Sequence, residues 1–281
     1  MTLPNLIGCG AGKSGTTSLY YYLNQHPDIF MAAAKEVHFF SHHYEKGIAW
    51  YEKIFENSGP KPIIGEFSTS YMMNVDTPLR MAAAIPQTKL LFMFRNPIKR
   101  AYSNYWFSIS IGTQNPKLSF SQAIRSPKGF QKYVTSGYYH EYLMRFLEFY
   151  SPKQVHIIIT EDLQKDAYQQ MKQCYNFLGV DDRFEPDLQK SFNTTVIAST
   201  PWQAAGYRLW LKFKNSIKPG LMWLPGTARE NLAYMEHIIR DKVMRNERPP
   251  MNEEDKDYLQ AIFQDHNQKL ADYLGRDHLW N

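Results

Sequence analysis

A loop rich in glycine and hydroxyl residues lies between a short apolar run and a helical pattern near the start of the chain. The apolar run covers residues 5–8, the loop covers residues 8–18, and Leu19 and Leu23 lie on one face of a helix predicted over 17–25. Glycines in such a loop let backbone N–H groups turn inward, and the helix N-terminus adds a positive dipole end. The segment therefore predicts a strand, an anion-binding loop and a helix, with a phosphate-type anion as its ligand.

The side chains of this loop match an anion. Lys13 adds a full positive charge, Gly15 keeps the backbone open, and four residues supply hydroxyl donors, namely Ser14, Thr16, Thr17 and Ser18. The P-loop of nucleoside-triphosphate-binding proteins needs four residues between its glycines, whereas Gly8 and Gly12 have three between them. A kinase would also need a carboxylate for magnesium after a later strand. The apolar run over 90–94 leads into Arg95 instead, so the kinase interpretation is disfavoured.

Four β-like runs are followed by helical patterns, which predicts an α/β fold with a parallel sheet flanked by helices. A helix is predicted from Pro97, with Asn96 as its N-cap, and another ends at Gly179. From about residue 186 no strand pattern remains, and 253–274 is an amphipathic helix. We expect a single domain over 1–281, with an α/β core over 1–185 and a mostly helical portion over 186–281. The four runs are 5–8, 62–66, 89–94 and 155–159.

Composition restricts the cellular location and the kinds of partner expected for the chain. The 281 residues include only two cysteines, Cys9 and Cys174, which excludes a disulfide scaffold, and there is no CxxC pair for zinc. No apolar run is long enough to span a bilayer, and residues 1–10 do not resemble a secretory signal. The net charge of +5 favours an anionic ligand over a nucleic-acid groove. We therefore expect a cytoplasmic protein without nucleic-acid or membrane partners; the oligomeric state is left open.

Arg95 is the candidate for a second anion site. It follows the buried strand over 89–94, and ligands of parallel sheets bind at the carboxyl ends of strands. Its planar guanidinium suits a phosphate, and Ser103, two turns along the next helix, adds a hydroxyl. Taken alone, an arginine at this place is more often an ordinary surface or helix-cap partner, but its pairing with the loop at Lys13 favours a phosphate site.

Five motifs follow one another along the chain, namely residues 12–19, 26–29, 35–40, 94–97 with 100–103, and 274–277 with Trp280. In this order they resemble the sulfotransferases that use 3′-phosphoadenosine 5′-phosphosulfate (PAPS), nearer the glycan and bacterial branch than the cytosolic aryl branch. The similarity covers nearly the whole chain, with a poor match over 190–250. It implies the P-loop-like sulfotransferase fold, PAPS as donor, 3′-phosphoadenosine 5′-phosphate (PAP) as product, and no metal.

The resemblance also implies roles for single residues. Residues 13–18 correspond to the 5′-phosphosulfate loop, Arg95 and Ser103 to the 3′-phosphate motif, and Lys13 stabilises the leaving phosphate. Glu36 corresponds to the catalytic base, and we expect its apolar neighbours to raise its pKa. Structural or solvated roles stay open for the histidines that rival it as base. These are His38, His42 and His43, which as a metal site would lack a supporting carboxylate pattern.

One departure bears on the acceptor. The glycan branch has a lysine where this chain has Phe67, so a cation that would help to hold a polyanionic sugar is missing. We therefore expect a small-molecule acceptor with a hydroxyl or amine, contacted by Glu66, His38 and Phe40. The aromatic-rich segment over 202–225 is either a packed helix and loop or an acceptor wall. The alternatives are a glycan sulfotransferase and a non-catalytic protein that binds nucleotides or polyanions.

Overall fold

The computed structural model describes residues 2–188 and 248–280, together with Gly206 and Leu209. The aromatic-rich segment over 202–225 lies outside these residues apart from those two positions, as does most of the portion predicted to be helical from residue 186.

The described residues contain a parallel five-stranded sheet in the order β2-β3-β1-β4-β5. The predicted parallel α/β fold is confirmed, and the four predicted strands form within two residues of their expected bounds. The strand β2 was missed because three residues are too short to show a period. The strands are β1 (Leu6–Gly10), β2 (Ile29–Met31), β3 (Ile63–Phe67), β4 (Lys89–Phe94) and β5 (Val155–Ile159).

Helices connect the strands and close the chain. The helix after Arg95 begins at Pro97, as predicted, and the helix before Gly179 ends there in a left-handed cap with φ 79°. The α-helices are α1 (Thr16–Asn24), α2 (Phe39–His42), α3 (Ile48–Glu52), α4 (Thr77–Ala84), α5 (Pro97–Ser110), α6 (Phe120–Arg125), α7 (Pro127–Gly129), α8 (Tyr139–Leu147), α9 (Thr160–Lys165), α10 (Ala167–Leu178) and α11 (Glu253–Tyr273). Short 3₁₀ turns cover Tyr44–Lys46, Lys53–Phe55, Thr135–Gly137 and Pro152–Gln154, and a π-helical turn covers Phe130–Val134.

The sheet is buried on both faces, which is why its strands are continuous apolar runs. Alternate residues of β4 face opposite sides, so Leu90 and Phe92 pack with residues of α2, α3 and α8, whereas Leu91 and Met93 pack with α1 and α10. Because the strands are parallel, the carboxyl ends of β1, β3, β4 and β5 lie at the same edge of the sheet.

The described residues form two compact units. The first consists of residues 2–97, 136–188 and 262–280 and contains the sheet. The second consists of residues 98–135 and 248–261, where Tyr105 packs edge-on against Phe120 and Arg125 pairs with the buried Asp255. Within the described ranges, no helix combines the length and the apolar character needed to cross a membrane.

Candidate active site

The loop between β1 and α1 has the backbone of an anion-binding nest. Lys13 and Gly15 both adopt left-handed conformations, with φ 70° and 95°, on either side of Ser14. Such alternation turns successive N–H groups toward one point. The Ser14 hydroxyl is fully buried and has no hydrogen-bond partner among the described residues. A buried orphan hydroxyl is costly unless a ligand binds it, so the residues of this loop fit a phosphate or sulfate group.

Two neighbouring strand ends hold this loop through its carbonyl groups. Arg95, just after β4, donates from Nη1 to the carbonyl oxygen of Lys13 at 3.2 Å. Thr160, just after β5, has its hydroxyl 2.6 Å from the carbonyl oxygen of Ser14. The structure therefore brings the two predicted anion motifs together, although they lie 82 residues apart in the chain.

The backbone around Arg95 is held by two aromatic residues and a carboxylate. Tyr139 donates its hydroxyl to the Arg95 carbonyl oxygen at 2.9 Å, and the next N–H, that of Asn96, donates to Glu161 at 3.0 Å. The other oxygen of Glu161 accepts from the indole of Trp280 at 2.9 Å. The C-terminal motif thus supports the backbone next to Arg95 through Glu161.

Ser103 lies on α5, is buried, and belongs to the second compact unit. Its assignment to the 3′-phosphate stays a prediction.

Glu36 lies in a turn over residues 36–40, which we call the acidic turn. Glu36 and His38 are both left-handed, with φ 65° and 57°. The Glu36 carboxylate accepts from the Thr69 N–H at 2.8 Å and lies 2.9 Å from the Lys35 ammonium. Thr69 also borders the anion loop, because a Cβ added to Gly12 would lie 3.7 Å from its hydroxyl oxygen. The acidic turn and the anion loop therefore share Thr69 as a neighbour.

The expected rise in the Glu36 pKa is wrong. Burial does raise the pKa, but the Lys35 ammonium, hydrogen bonds from Lys35 and Thr69, and His38 together lower it more, so the pKa of Glu36 lies below its usual range. The apolar neighbours Val37, Phe39 and Phe40 are buried, and none of them replaces these polar partners.

His38 is the histidine that lies beside Glu36. Its Nε2 is 3.8 Å from a Glu36 carboxylate oxygen, an ion-pair distance, and its Nδ1 is 2.7 Å from the Ser70 hydroxyl. Ser41 connects Ser70 to His42, whose ring packs edge-on against that of His38. His43 pairs loosely with Glu45 instead, at 3.9 Å.

Two residues assigned to the acceptor do not lie on an open surface, and we correct both. Glu66 is fully buried in β3 and accepts hydrogen bonds from the hydroxyls of Tyr51, Ser68 and Tyr71 at 3.0, 2.7 and 2.6 Å. Phe40 is fully buried among aromatic rings, 5.2 Å from Tyr51 and 5.7 Å from Tyr71. Their side chains build the support of the acidic turn and not the acceptor wall.

Phe67, which replaces the lysine of the glycan branch, is fully buried and packs on β1. A Cβ added to Gly8 would lie 2.0 Å from its ring, so the ring occupies the space that a side chain at Gly8 would need. The position therefore contributes apolar packing under the anion loop and no charge.

Sequence reasoning missed four residues that hold the site, namely Thr69, Tyr139, Thr160 and Glu161. The signal for Thr160 was its place after β5, since polar residues at the carboxyl ends of parallel strands often line a site. For a metal, the described part of the chain offers no group of three or more histidine, cysteine or acidic ligands.

Comparison with known proteins agrees with this geometry. A family model described as the sulfotransferase domain matches residues 3–199. Human heparan sulfate glucosamine 3-O-sulfotransferase 6 is 30% identical over 195 residues, which cover 68% of this chain and 56% of that protein. The membrane-associated sulfotransferase kil1 of Dictyostelium discoideum is 39% identical over 126 residues, 43% of this chain and 27% of that protein.

A solved structure shares the fold along the chain. The sulfotransferase from Alicyclobacillus acidocaldarius superposes with a TM-score of 0.72 at 24% identity, covering 99% of this chain and 98% of that one. The two curated relatives above are longer, and the matched regions span about a quarter and just over half of their lengths. Because the family model matches well over half of the sequence, the chain belongs to the sulfotransferase family.

Proposed function

We propose that the protein transfers a sulfuryl group from PAPS to a hydroxyl or amine of an acceptor, with PAP as the other product. The observation that carries the proposal is the hydrogen bond from Arg95 to the Lys13 carbonyl, which joins two anion-binding motifs. Two such motifs side by side suit a nucleotide with phosphates on both its 3′ and 5′ oxygens better than a linear triphosphate.

The donor would be held by residues of the first compact unit. The nest around Ser14 and the Lys13 ammonium would bind the 5′ group, with Gly15, Thr16, Thr17 and Ser18 at the start of α1. The guanidinium of Arg95 would bind the 3′-phosphate. When bound, PAPS supplies a sulfuryl group whose in-line transfer places negative charge on its equatorial and bridging oxygens. Lys13 is the cation that would stabilise that charge.

Glu36 would take the acceptor proton. Its carboxylate is held by Lys35 and Thr69 beside the anion loop, and this position would let it meet an acceptor oxygen that approaches the donor. A pKa below the usual range keeps Glu36 ionised at neutral pH, so the base is in the required state before the acceptor binds. His38, 3.8 Å away, is the competing base.

For the acceptor we propose a small molecule. One support is the apolar Phe67 at the position where the glycan branch carries a lysine. The other is the ion pair between Lys35 and Glu36, because it already engages the ammonium of Lys35. A glycan acceptor is the second candidate, favoured by the name of the human relative, which refers to heparan sulfate glucosamine. A cytoplasmic location stays part of the proposal.

A transfer assay tests the proposed function. The protein is incubated with labelled PAPS and a panel of small alcohols, phenols, amines and desulfated heparan oligosaccharides, with and without excess EDTA. We expect label on a small acceptor, and undiminished transfer in EDTA because Lys13 and Arg95 supply the cationic charge. Label only on the oligosaccharides would favour the glycan acceptor, and PAP binding without any transfer would favour a non-catalytic protein.

Two variants test the assigned roles within that assay. Glu36→Gln keeps the shape of the side chain but removes the base, so turnover should fall by about 10²–10⁴-fold with little change in PAP binding. Lys13→Ala should weaken both PAP binding and turnover, because the ammonium contacts the donor before and during transfer. Near wild-type turnover in Glu36→Gln together with an inactive His38→Ala would assign the base to His38.

A further inference from the structure

A buried carboxyl lies behind the acidic turn, and the proposed mechanism does not use it. Glu66 is fully buried, and three hydroxyl groups donate to it, those of Tyr51, Ser68 and Tyr71. A buried carboxylate with three donors has a satisfied hydrogen-bond network, yet burying it costs more than an apolar side chain of the same size would. Such a network calls for an explanation beyond stability.

Two of the three hydroxyl groups reach from Glu66 to the acidic turn. Ser68 donates to Glu66 Oε2 at 2.7 Å and accepts the backbone N–H of His38 at 2.8 Å. Tyr71 donates to Glu66 Oε1 at 2.6 Å and accepts the N–H of Phe40 at 3.4 Å. Because Glu66 takes the hydroxyl hydrogen in both cases, each hydroxyl oxygen presents its lone pairs to the turn. The two oxygens of one buried carboxyl group thus orient both hydroxyls.

The acidic turn needs this support because its backbone is strained. The left-handed conformation is costly for a residue other than glycine, and Glu36 and His38 both adopt it. Such conformations persist only where the surroundings hold them. The N–H of Glu36 donates to the Phe67 carbonyl at 2.8 Å, and the Ser68 hydroxyl holds the N–H of His38. Without the second contact, the turn can relax and carry the Glu36 carboxylate away from Thr69.

We propose that Glu66 is a positioning residue for sulfuryl transfer: through the hydroxyls of Ser68 and Tyr71 it holds the acidic turn in the conformation that places Glu36 beside the anion loop. The inference rests on the proposed function. It assigns Glu66 a role at the back of the catalytic turn, where the sequence had suggested contact with the acceptor.

The pKa of Glu66 lies near neutrality, so its carboxyl is partly protonated at neutral pH, and its hydrogen bonds to Ser68 and Tyr71, more than its charge, hold the acidic turn. Burial raises its pKa to about 7, against the opposing effect of its hydrogen bonds, and the Cys9 thiol and Glu36 carboxyl are the other titratable groups near it. Burial and Glu66 itself raise the pKa values of Tyr51 and Tyr71, so both remain protonated donors at any working pH.

The test compares two tyrosines that donate to the same oxygen of Glu66. Tyr71→Phe removes the hydroxyl that reaches the acidic turn, whereas Tyr51→Phe removes one for which the structure gives no contact with the turn's backbone. We expect kcat to fall by roughly 3- to 10-fold in Tyr71→Phe, the equivalent of one hydrogen bond, and to stay within about twofold in Tyr51→Phe. PAP dissociation constants, measured by titration calorimetry, should stay within about twofold in both.

Ser68→Ala provides a second and stronger variant, since Ser68 makes the shorter contact with the turn. We expect a loss of at least 10-fold in kcat with PAP binding retained. The acidic limb of kcat/KM should also move to higher pH, because Glu36 separates from the donors that lower its pKa. Glu66→Gln should show the same pattern, provided that its circular dichroism spectrum matches that of the wild type.

The outcomes separate the inference from the function on which it rests. Equal losses in Tyr51→Phe and Tyr71→Phe, or full activity in Ser68→Ala, would overturn the positioning role while leaving the proposed function intact. Failure of the wild type to transfer sulfate from PAPS to any acceptor would overturn the proposed function and this inference together.

Discussion

Glu36 is a base whose neighbours keep it ionised. Its carboxylate contacts the Lys35 ammonium and the Thr69 N–H, and only 29% of its side chain is exposed. Burial alone would favour the protonated acid, but these partners favour the charged form more strongly, so the pKa falls. The residue is therefore ready to accept a proton at neutral pH, at the cost of weaker basicity.

Lys35 should set the acidic limit of activity. Lys35→Met removes the ammonium and its hydrogen bond, which lower the pKa of Glu36. The opposing effect of burial then raises that pKa. We expect the acidic limb of the kcat/KM profile to move to higher pH than in the wild type, where it should lie below the usual value for a glutamate. Steady-state rates from pH 4 to 8 measure the shift. An unchanged limb would mean that Glu36 does not titrate in the free enzyme.

Residue identity was easier to predict than residue environment. The anion loop and Arg95 could be found from the sequence because charged residues, glycines and hydroxyl residues indicate an anion site by their type and spacing. The environment of Glu66 could not, since burial depends on residues that the fold brings together, here Tyr51 from α3 and Tyr71 from beyond β3. The same limit explains why Phe40 was assigned to the acceptor although it lies in an aromatic core.

At the scale of elements, β5 contains a histidine in a place that disfavours its charge. His156 packs its ring against Phe177 at 5.1 Å, and its buried Nε2 has no hydrogen-bond partner among the described residues. Burial lowers the pKa of His156 to about 4. The histidine is therefore neutral in the folded protein over a pH range in which the unfolded chain binds a proton.

The sign of the resulting pH dependence follows from linkage. With a folded pKa near 4 and an ordinary value of 6.5, the unfolded state binds more protons between these limits, so stability is lost as the pH falls from 6.5 toward 4. The loss amounts to about 1.4 kcal/mol per pH unit in that window. His156→Leu should lack this component. Urea unfolding at pH 7.5 and 5.0 tests it, and equal pH dependence in both proteins would contradict the assignment.

Elements with long apolar runs were predictable, and short ones were not. The strand Lys89–Phe94 is buried on both faces, so its residues form a continuous apolar run, which is typical of a central parallel strand. By contrast, β2 has three residues and α2 has four, too few for a helical or strand period to appear. The strand β2 precedes the acidic turn and α2 begins within it, so the sequence predicted the chemistry of the turn better than its shape.

At the scale of the whole molecule, residues 274–280 contact the helix that supports the Arg95 position. Two contacts attach residues 274–280 to α9: the Trp280 indole donates to Glu161, and Arg276 pairs with Asp162 at 2.6 Å. The first is partly buried and continues through Glu161 to the N–H of Asn96, next to Arg95. The second is exposed.

These two contacts should differ in their effect. Trp280→Phe removes a hydrogen bond to a carboxylate, typically worth about 1.5–3 kcal/mol, and should lower Tm and weaken PAP binding together. Arg276→Gln breaks an exposed pair, worth about 0–1 kcal/mol, and should leave PAP binding unchanged. Differential scanning calorimetry and PAP titration measure both. Unchanged PAP binding in Trp280→Phe would disconnect the C-terminal segment from the Arg95 position.

The central claim is that Arg95 and the Lys13 loop form one site for a nucleotide phosphorylated at both its 3′ and 5′ positions. Titration calorimetry of PAP and of adenosine 5′-monophosphate into the wild type and into Arg95→Ala tests it most directly. We expect PAP affinity to fall by roughly 10- to 150-fold in Arg95→Ala, as for the loss of a charge-assisted contact, with far less change for the monophosphate. Equal losses for both nucleotides, or no binding of PAP by the wild type, would contradict it.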